Sequence, residues 1–207
     1  MTAFRHIVFD LDGTLVDSLA GIAFSIDAAL AACGFPPSAV DVAPLIGPPV
    51  RAILATVSGS SDRGVLDRLE SSFRASYDAE GWRRTTCLAG VPDMLWRLMT
   101  GGSDLWIATN KPSLPTGRIL RELKLEGFFR EAVCRDSRVP PFESKAEILS
   151  DLMARHGMDR DDCLMVGDTT EDLLAAQAAG IACAIAGRTF AGWDELEALV
   201  RKEEVAV

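Results

Sequence analysis

His6-Ile7-Val8-Phe9-Asp10-Leu11-Asp12-Gly13-Thr14 begins as a short β-type run and closes on two carboxylates one residue apart. The design recurs at residues 104–108, 163–166 and 181–185, each a short and nearly continuous apolar run. Such runs suit strands covered on both faces, as in a parallel sheet flanked by helices. Helical patterns fall between them, at residues 91–99, 114–123, 146–156, 171–179 and 193–200. From residue 88 onward strand and helix therefore alternate. The pattern predicts an α/β fold, a doubly wound parallel sheet whose ligand site lies beyond the carboxyl ends of its strands.

Residues 18–83 break this rhythm because they offer helices only. Leu19, Ile22, Ile26, Leu30 and Cys33 recur at helical spacing, and Gly34 follows as a stop. Pro36, Pro37, Pro44, Pro48 and Pro49 punctuate the chain before two more periodic stretches, 50–57 and 65–77. A small helical bundle is the simplest fold for this segment. The expected organisation is a core of residues 1–17 and 84–207, with residues 18–83 inserted as an α-helical cap.

Composition narrows the function classes. The 207 residues, 48% hydrophobic and 25% charged, have the balance of a globular protein long enough to bury a core. A net charge of -9 with scattered basic residues argues against a nucleic-acid partner, because a phosphate backbone demands a basic stripe. A local carboxylate cluster can still accept a phosphorylated molecule when a bound cation inverts the local field. The five cysteines are odd in number and contain no C-x-x-C pair, so they read as small hydrophobic residues, not as disulfides or zinc ligands. No apolar run reaches the ~18 residues of a membrane span, and the first residues lack a leader's apolar stretch. The expectation is a cytoplasmic protein with no membrane or nucleic-acid partner, acting on a small molecule as a monomer or homodimer.

Phosphoryl transfer to a carboxylate needs a nucleophilic oxygen, a proton donor, a cation and donors for the phosphate oxygens. Asp10 and Asp12 leave the first strand on the same side, and two carboxylates that close are best tolerated around a hard cation such as magnesium. The same five residues, Asp10 to Thr14, also describe an exposed turn with Gly13 at positive φ. Gly167-Asp168-Thr169-Thr170-Glu171-Asp172 follows another apolar run and opens a helix. Asp168 or Thr169 could be a helix cap there, while Asp172, one turn on, could support the metal ligands from behind. Thr109 and Asn110 end the run at 104–108, where a hydroxyl and amides could hold phosphate oxygens. Lys145, one of four lysines, begins a helix, an unfavourable place for a cation unless it points into an acidic site.

These residues, in this order, resemble the haloacid-dehalogenase superfamily across essentially the whole chain. The first motif matches as Asp10 to Ser18, the second as Thr109, the third as Lys145, and the fourth as Gly167-Asp168 with Asp172. The resemblance implies a Rossmann-like core with a cap inserted after the first motif. It also implies an aspartyl-phosphate on Asp10 and proton transfer by Asp12. Magnesium would be held by Asp10, Asp168 and the backbone carbonyl of Asp12. Lys145 lacks the proline that often follows this lysine, which leaves Lys111 as its nearest rival. Asp12 argues against a dehalogenase, and the absence of any lysine before Lys111 argues against a phosphonate hydrolase with a cap Schiff base.

The segment Leu45-Ile46-Gly47-Pro48-Pro49-Val50-Arg51 looks like the specificity loop of phosphoglycolate phosphatases, so Gly47 and Arg51 would meet the substrate. The resulting expectation is a magnesium-dependent phosphatase for a phosphoglycolate-like monoester. A β-phosphoglucomutase-like mutase or a pyrophosphatase is the alternative.

Overall fold

The computed structural model describes residues 4–201. In chain order, β1 (His6–Phe9) leads through β2 (Val16–Asp17) into three helices, α1 (Leu19–Ala32), α2 (Val50–Ser58) and α3 (Arg63–Ala79). The chain returns by β3 (Thr86–Cys87). It continues through α4 (Val91–Thr100), β4 (Asp104–Thr109), α5 (Ser113–Glu122), β5 (Glu131–Cys134) and α6 (Lys145–His156). β6 (Cys163–Gly167), α7 (Thr170–Ala179), β7 (Ala182–Ile185) and α8 (Trp193–Val200) complete it.

Five strands form one sheet in the order β5-β4-β1-β6-β7, and every pairing in it is parallel. The apolar runs end as strands because both faces of the sheet are covered. Ile7 and Phe9 of β1 point into one layer with Leu95 of α4, Leu120 of α5 and Leu196 of α8. Val8, between them, points into the opposite layer with Leu149 of α6 and Ala176 of α7. The alternation follows from the two-residue period of a strand. β1 lies at the centre with β4 on one side and β6 on the other, so the crossovers diverge from it. A crevice opens at that switch point, beyond the carboxyl ends.

The helices between β2 and β3 gather a separate apolar cluster, which includes Ile26 and Leu30 of α1, Leu54 of α2, and Leu69 and Phe73 of α3. The two connections to this bundle run side by side, because β2 and β3 pair antiparallel with Val16 opposite Cys87 and Asp17 opposite Thr86. Helix α1 stops where the sequence places its stop: Cys33 caps it and Gly34 takes φ 79. No helix among the described residues is long and apolar enough to cross a membrane. All five cysteines are free; Cys134 and Cys163 are buried, while Cys33, Cys87 and Cys183 are partly exposed.

Two features depart from the sequence expectation. β5 is an additional strand that the apolar pattern does not announce. It has four residues, only Val133 and Cys134 are buried, and arginines stand on both sides of it. An edge strand needs no continuous apolar run, so its signal is weak. The β2–β3 pair is likewise too short to carry a periodicity.

Close backbone packing generates a stability prediction. A Cβ on Gly21 of α1 would collide with the Gly81 carbonyl, and one on Gly81 would collide with Ser25 Oγ. A Cβ on Gly117 of α5, in contrast, would meet nothing within 4 Å. Gly21→Ala should therefore lower the unfolding free energy by about 1–3 kcal/mol, the range for overpacking. Gly117→Ala should raise it by roughly 0.5–1 kcal/mol, the helix-propensity gain. Urea unfolding of both variants checks this, and equal shifts would contradict the packing described.

Candidate active site

Strand register decides where the acidic residues emerge. Phe9 lies opposite Ile107 on one side and Val166 on the other. Asp10 follows, and its amide extends the ladder by donating to the Val166 carbonyl at 2.9 Å. The chain then turns sharply at Gly13, which takes φ 83. A Cβ there would collide with the Asp168 carboxylate, so glycine is required both by conformation and by this close approach. Thr14 Oγ1 donates to Asp168 Oδ1 at 3.0 Å, tying the first loop to the loop after β6.

Lys145 is the centre of this arrangement. Ser144 caps α6 by accepting from the Glu147 amide at 3.3 Å, which fixes the first turn of the helix and points Lys145 inward. The lysine is 1% exposed. Its Nζ lies 3.0 Å from Asp10 Oδ2 and donates to Asp172 Oδ1 at 2.5 Å. Asp172 is occupied on its other side: Oδ2 accepts from Thr169 Oγ1 at 2.7 Å, the Thr169 amide at 3.0 Å and the Asp168 amide at 3.3 Å. Thr169 accepts in return from the Asp172 amide at 3.3 Å, completing a capping box for α7. Capping and site-building are thus carried by the same carboxylate, one oxygen for each task.

Burial pushes the Asp10 carboxyl up to about 7, against the opposing pull of Lys145. Burial also raises Asp168, opposed by its hydrogen bond from Thr14. Burial disfavours the Lys145 ammonium, but Asp10 and Asp172 outweigh it and hold the lysine above its ordinary value.

The second lysine, Lys111, is also buried, and its Nζ donates to both oxygens of Asp12 at 2.9 Å. The same Nζ sits 4.7 Å from the centre of the Tyr77 ring on α3. Burial opposes its charge, but Asp12 and Tyr77 together outweigh burial and raise it above the usual lysine range. Thr109 is buried at the end of β4, where its Oγ1 accepts from the Lys111 amide at 3.2 Å. Asn110 Nδ2 donates to the Gly47 carbonyl at 3.3 Å and to Glu171 Oε1 at 2.8 Å. Gly47, at φ 123, rests over Thr169. Its contact with Asn110 joins the helical segment to the sheet.

A cavity of about 280 Å³ lies between the helical bundle and the sheet ends, lined at its floor by Asp10, Asp12, Thr109, Asn110 and Lys111. Gly47 and Val50 line it from above, but Arg51 does not. Arg51 turns into ion pairs between α2 and α3, with Nη1 2.7 Å from Asp67 Oδ1 and 3.0 Å from Glu70 Oε2. The two neighbouring acids on α3 draw the guanidinium away from the position that the specificity-loop resemblance gives it.

The residues fit a hard divalent cation. Asp10, Asp168 and Asp172 each place a carboxylate oxygen within 4.8 Å of the others. Around the site stand four aspartates but only two lysines, which leaves two uncompensated negative charges when all are ionised. Asp168 is the one of the four with no lysine partner among the described residues. Oxygen donors in this number suit magnesium, which retains several waters beside one or two carboxylates. Both oxygens of Asp12 are engaged by Lys111 and both of Asp172 by Lys145 and the turn that starts α7, whereas Lys145 engages only Oδ2 of Asp10.

The sequence motifs therefore converge, with Asp10, Asp12, Thr109, Asn110, Lys145, Asp168 and Asp172 in one place. Sequence reasoning missed Thr14, although it stands inside the first motif, and treated Lys111 only as a rival to Lys145. It also missed Glu171, which accepts from Asn110, and Tyr77, Arg74 and Arg135, which line the cavity; the first two of these three come from α3 of the bundle and Arg135 from the loop after β5.

The family model for haloacid dehalogenase-like hydrolases matches residues 7–186. A 5'-nucleotidase of Pseudomonas aeruginosa is 31% identical over 196 residues, covering 94% of this chain and 88% of that protein. Phosphoglycolate phosphatase 1 of the same organism is 34% identical over 187 residues, covering 87% and 68% respectively. The solved structure of protein tyrosine kinase A from Mycobacterium tuberculosis superposes with a TM-score of 0.81 at 29% identity, covering 96% of this chain and 98% of that one. Together with the strand order and the converging motifs, these matches show that the chain belongs to the haloacid dehalogenase-like hydrolases.

Proposed function

We propose that the protein is a phosphatase that hydrolyses small phosphorylated metabolites through covalent phosphorylation of Asp10. The observation that carries this reading is the buried Asp10 carboxylate: Lys145 holds Oδ2, and Oδ1 has no hydrogen-bond partner among the described residues. An oxygen fixed on one side and free on the other is oriented for attack. In the first step the Asp10 oxygen forms a bond to phosphorus as the ester P–O bond breaks, and Asp12 supplies the proton to the departing oxygen. In the second, Asp12 takes a proton from water as that water attacks phosphorus and the Asp10–phosphorus bond breaks. Asp12 must release one of its two Lys111 contacts to donate. Thr109 and Lys145 stand where the transferred oxygens would gather. Asp10, Asp168 and the Asp12 carbonyl would hold magnesium, which supplies charge neutralisation to the phosphoryl group.

Residues 18–83 serve in this reading as a cap whose closure excludes bulk water, with the Gly47–Asn110 hydrogen bond as one of its closing contacts. A phosphoglycolate-like monoester is the substrate reading supported by the phosphoglycolate phosphatase relatives. Arg51 gives it no support, since that side chain is committed within the bundle. Hydrolysis is favoured over a mutase reaction because, among the described residues, no histidine lines the cavity to manage a second transfer.

Asp10→Asn keeps the shape of the side chain but removes the nucleophile. Phosphate release should fall by at least about a thousandfold while the circular dichroism spectrum is retained; full turnover in a folded variant would contradict the mechanism. Cation binding should also depend on pH, with the sign set by Asp10. Its carboxyl carries a proton below about 7 in the cation-free protein, and a bound cation must displace that proton. Magnesium affinity should consequently be about tenfold weaker at pH 6 than at pH 8. Calorimetric titration at the two pH values measures this, and equal affinities would count against it.

A further inference from the structure

Three cations line the cavity, and two of them are already paired. Lys111 is committed to Asp12, and Arg74 Nη2 lies 2.6 Å from Glu70 Oε1. Arg135, the third, makes no side-chain hydrogen bond or ion pair among the described residues. It is only partly exposed, and it stands directly after β5 at the carboxyl edge of the sheet. The chain has 30 acidic residues against 21 basic ones, and carboxylates occupy arginines such as Arg51, Arg74, Arg97 and Arg155, whereas Arg135 has none among the described residues.

The backbone that carries Arg135 is nevertheless firmly held. Its carbonyl accepts from the Phe142 amide at 2.9 Å. On one side the Cys134 amide donates to Ser137 Oγ at 2.8 Å. On the other, Asp136 accepts from the Ser113 amide at 2.7 Å, pinning the loop to the first turn of α5. A rigid support with a free, partly desolvated cation facing the cavity is the arrangement expected of a group waiting for an anion. The cavity that Arg135 shares with Asp10 and Thr109 also has apolar walls, with Ile53 and Phe73 from the bundle and Leu114 and Pro115 from α5, beside the acidic Glu70, Asp78 and Asp136.

We infer that Arg135 is a specificity-determining residue of this site, and that the preferred substrate is a phosphate monoester whose leaving group ends in a carboxylate beyond an apolar section. The inference rests on the phosphatase reading and deepens it. The planar guanidinium fork matches a carboxylate in a way that Lys111 or Lys145, both engaged with aspartates, could not. It moves recognition of the second acidic group from the helical bundle, where Arg51 suggests it, to the loop after β5.

The test uses the full chain with magnesium and matched pairs of esters that differ only in the terminal carboxylate. Ethyl phosphate is paired with phosphoglycolate, propyl phosphate with 3-phosphopropionate, and phenyl phosphate with 4-carboxyphenyl phosphate. The wild-type protein should favour the carboxylate member of at least one pair. Arg135→Met should reduce that ratio of kcat/KM values about tenfold, the loss expected for one charge-assisted contact, chiefly through KM. Arg51→Met should keep the wild-type ratio. A preference in no pair, a ratio unchanged in Arg135→Met, or a ratio lost in Arg51→Met would each overturn the inference. Failure of the wild-type protein to release phosphate from any ester would instead overturn the phosphatase reading beneath it.

Discussion

An ammonium group at 1% exposure is held among carboxylates at the heart of this protein: Lys145 stands between Asp10 and Asp172. Burying such a charge is costly unless it is paired and hydrogen-bonded, and the pairing here extends through both partners. Asp172 hands its other oxygen to the turn that starts α7, and Asp10 continues the ladder of β1. Removing the lysine would leave uncompensated buried carboxylates, a loss of about 3–5 kcal/mol for a pair of this kind. One contact therefore joins α6, α7 and the central strand, and it also fixes the orientation of the carboxylate that the proposed mechanism makes the nucleophile.

The sheet makes that contact possible. Because β1 is central and its crossovers diverge, the ends of β1, β4 and β6 open onto one crevice, and each contributes a polar residue to it. Asp10 comes from the first, Thr109 from the second and Asp168 from the loop after the third. The first loop and the third are then locked together at Gly13, where only a residue without a side chain fits against Asp168. The result is a rigid acidic site in which two lysines balance two of the four aspartates and a hard cation would suit the remainder, the preorganisation that the proposed phosphoryl transfer calls for.

Much of this was legible in the sequence, for a physical reason. Asp10, Asp12 and Asp168 follow apolar runs directly, and a polar residue at the end of a buried strand has to emerge at the sheet's edge. Lys145 was legible by its oddity at a helix start. The sheet was legible where strands carry nearly continuous apolar runs, and not at β5, whose first two residues are only half-buried and whose neighbours are arginines. The same gap hid Arg135, since its placement beside the cavity follows from that strand. Arg51 shows the opposite limit. Its position in the loop resemblance is clear, but the direction of a long side chain on a helix depends on neighbours from another helix, here Asp67 and Glu70. Lys111 was ambiguous because nothing in a sequence says which of two lysines meets which of two nearby aspartates.

The central claim is that Asp10 receives the phosphoryl group. Acid quenching during turnover, reduction of any acyl phosphate with borohydride, and peptide mass mapping read that directly. The account predicts that the reduced residue is Asp10 and that the label is absent without substrate. Modification at Asp12 or Asp168 instead, or no trapped residue during rapid turnover, would contradict it.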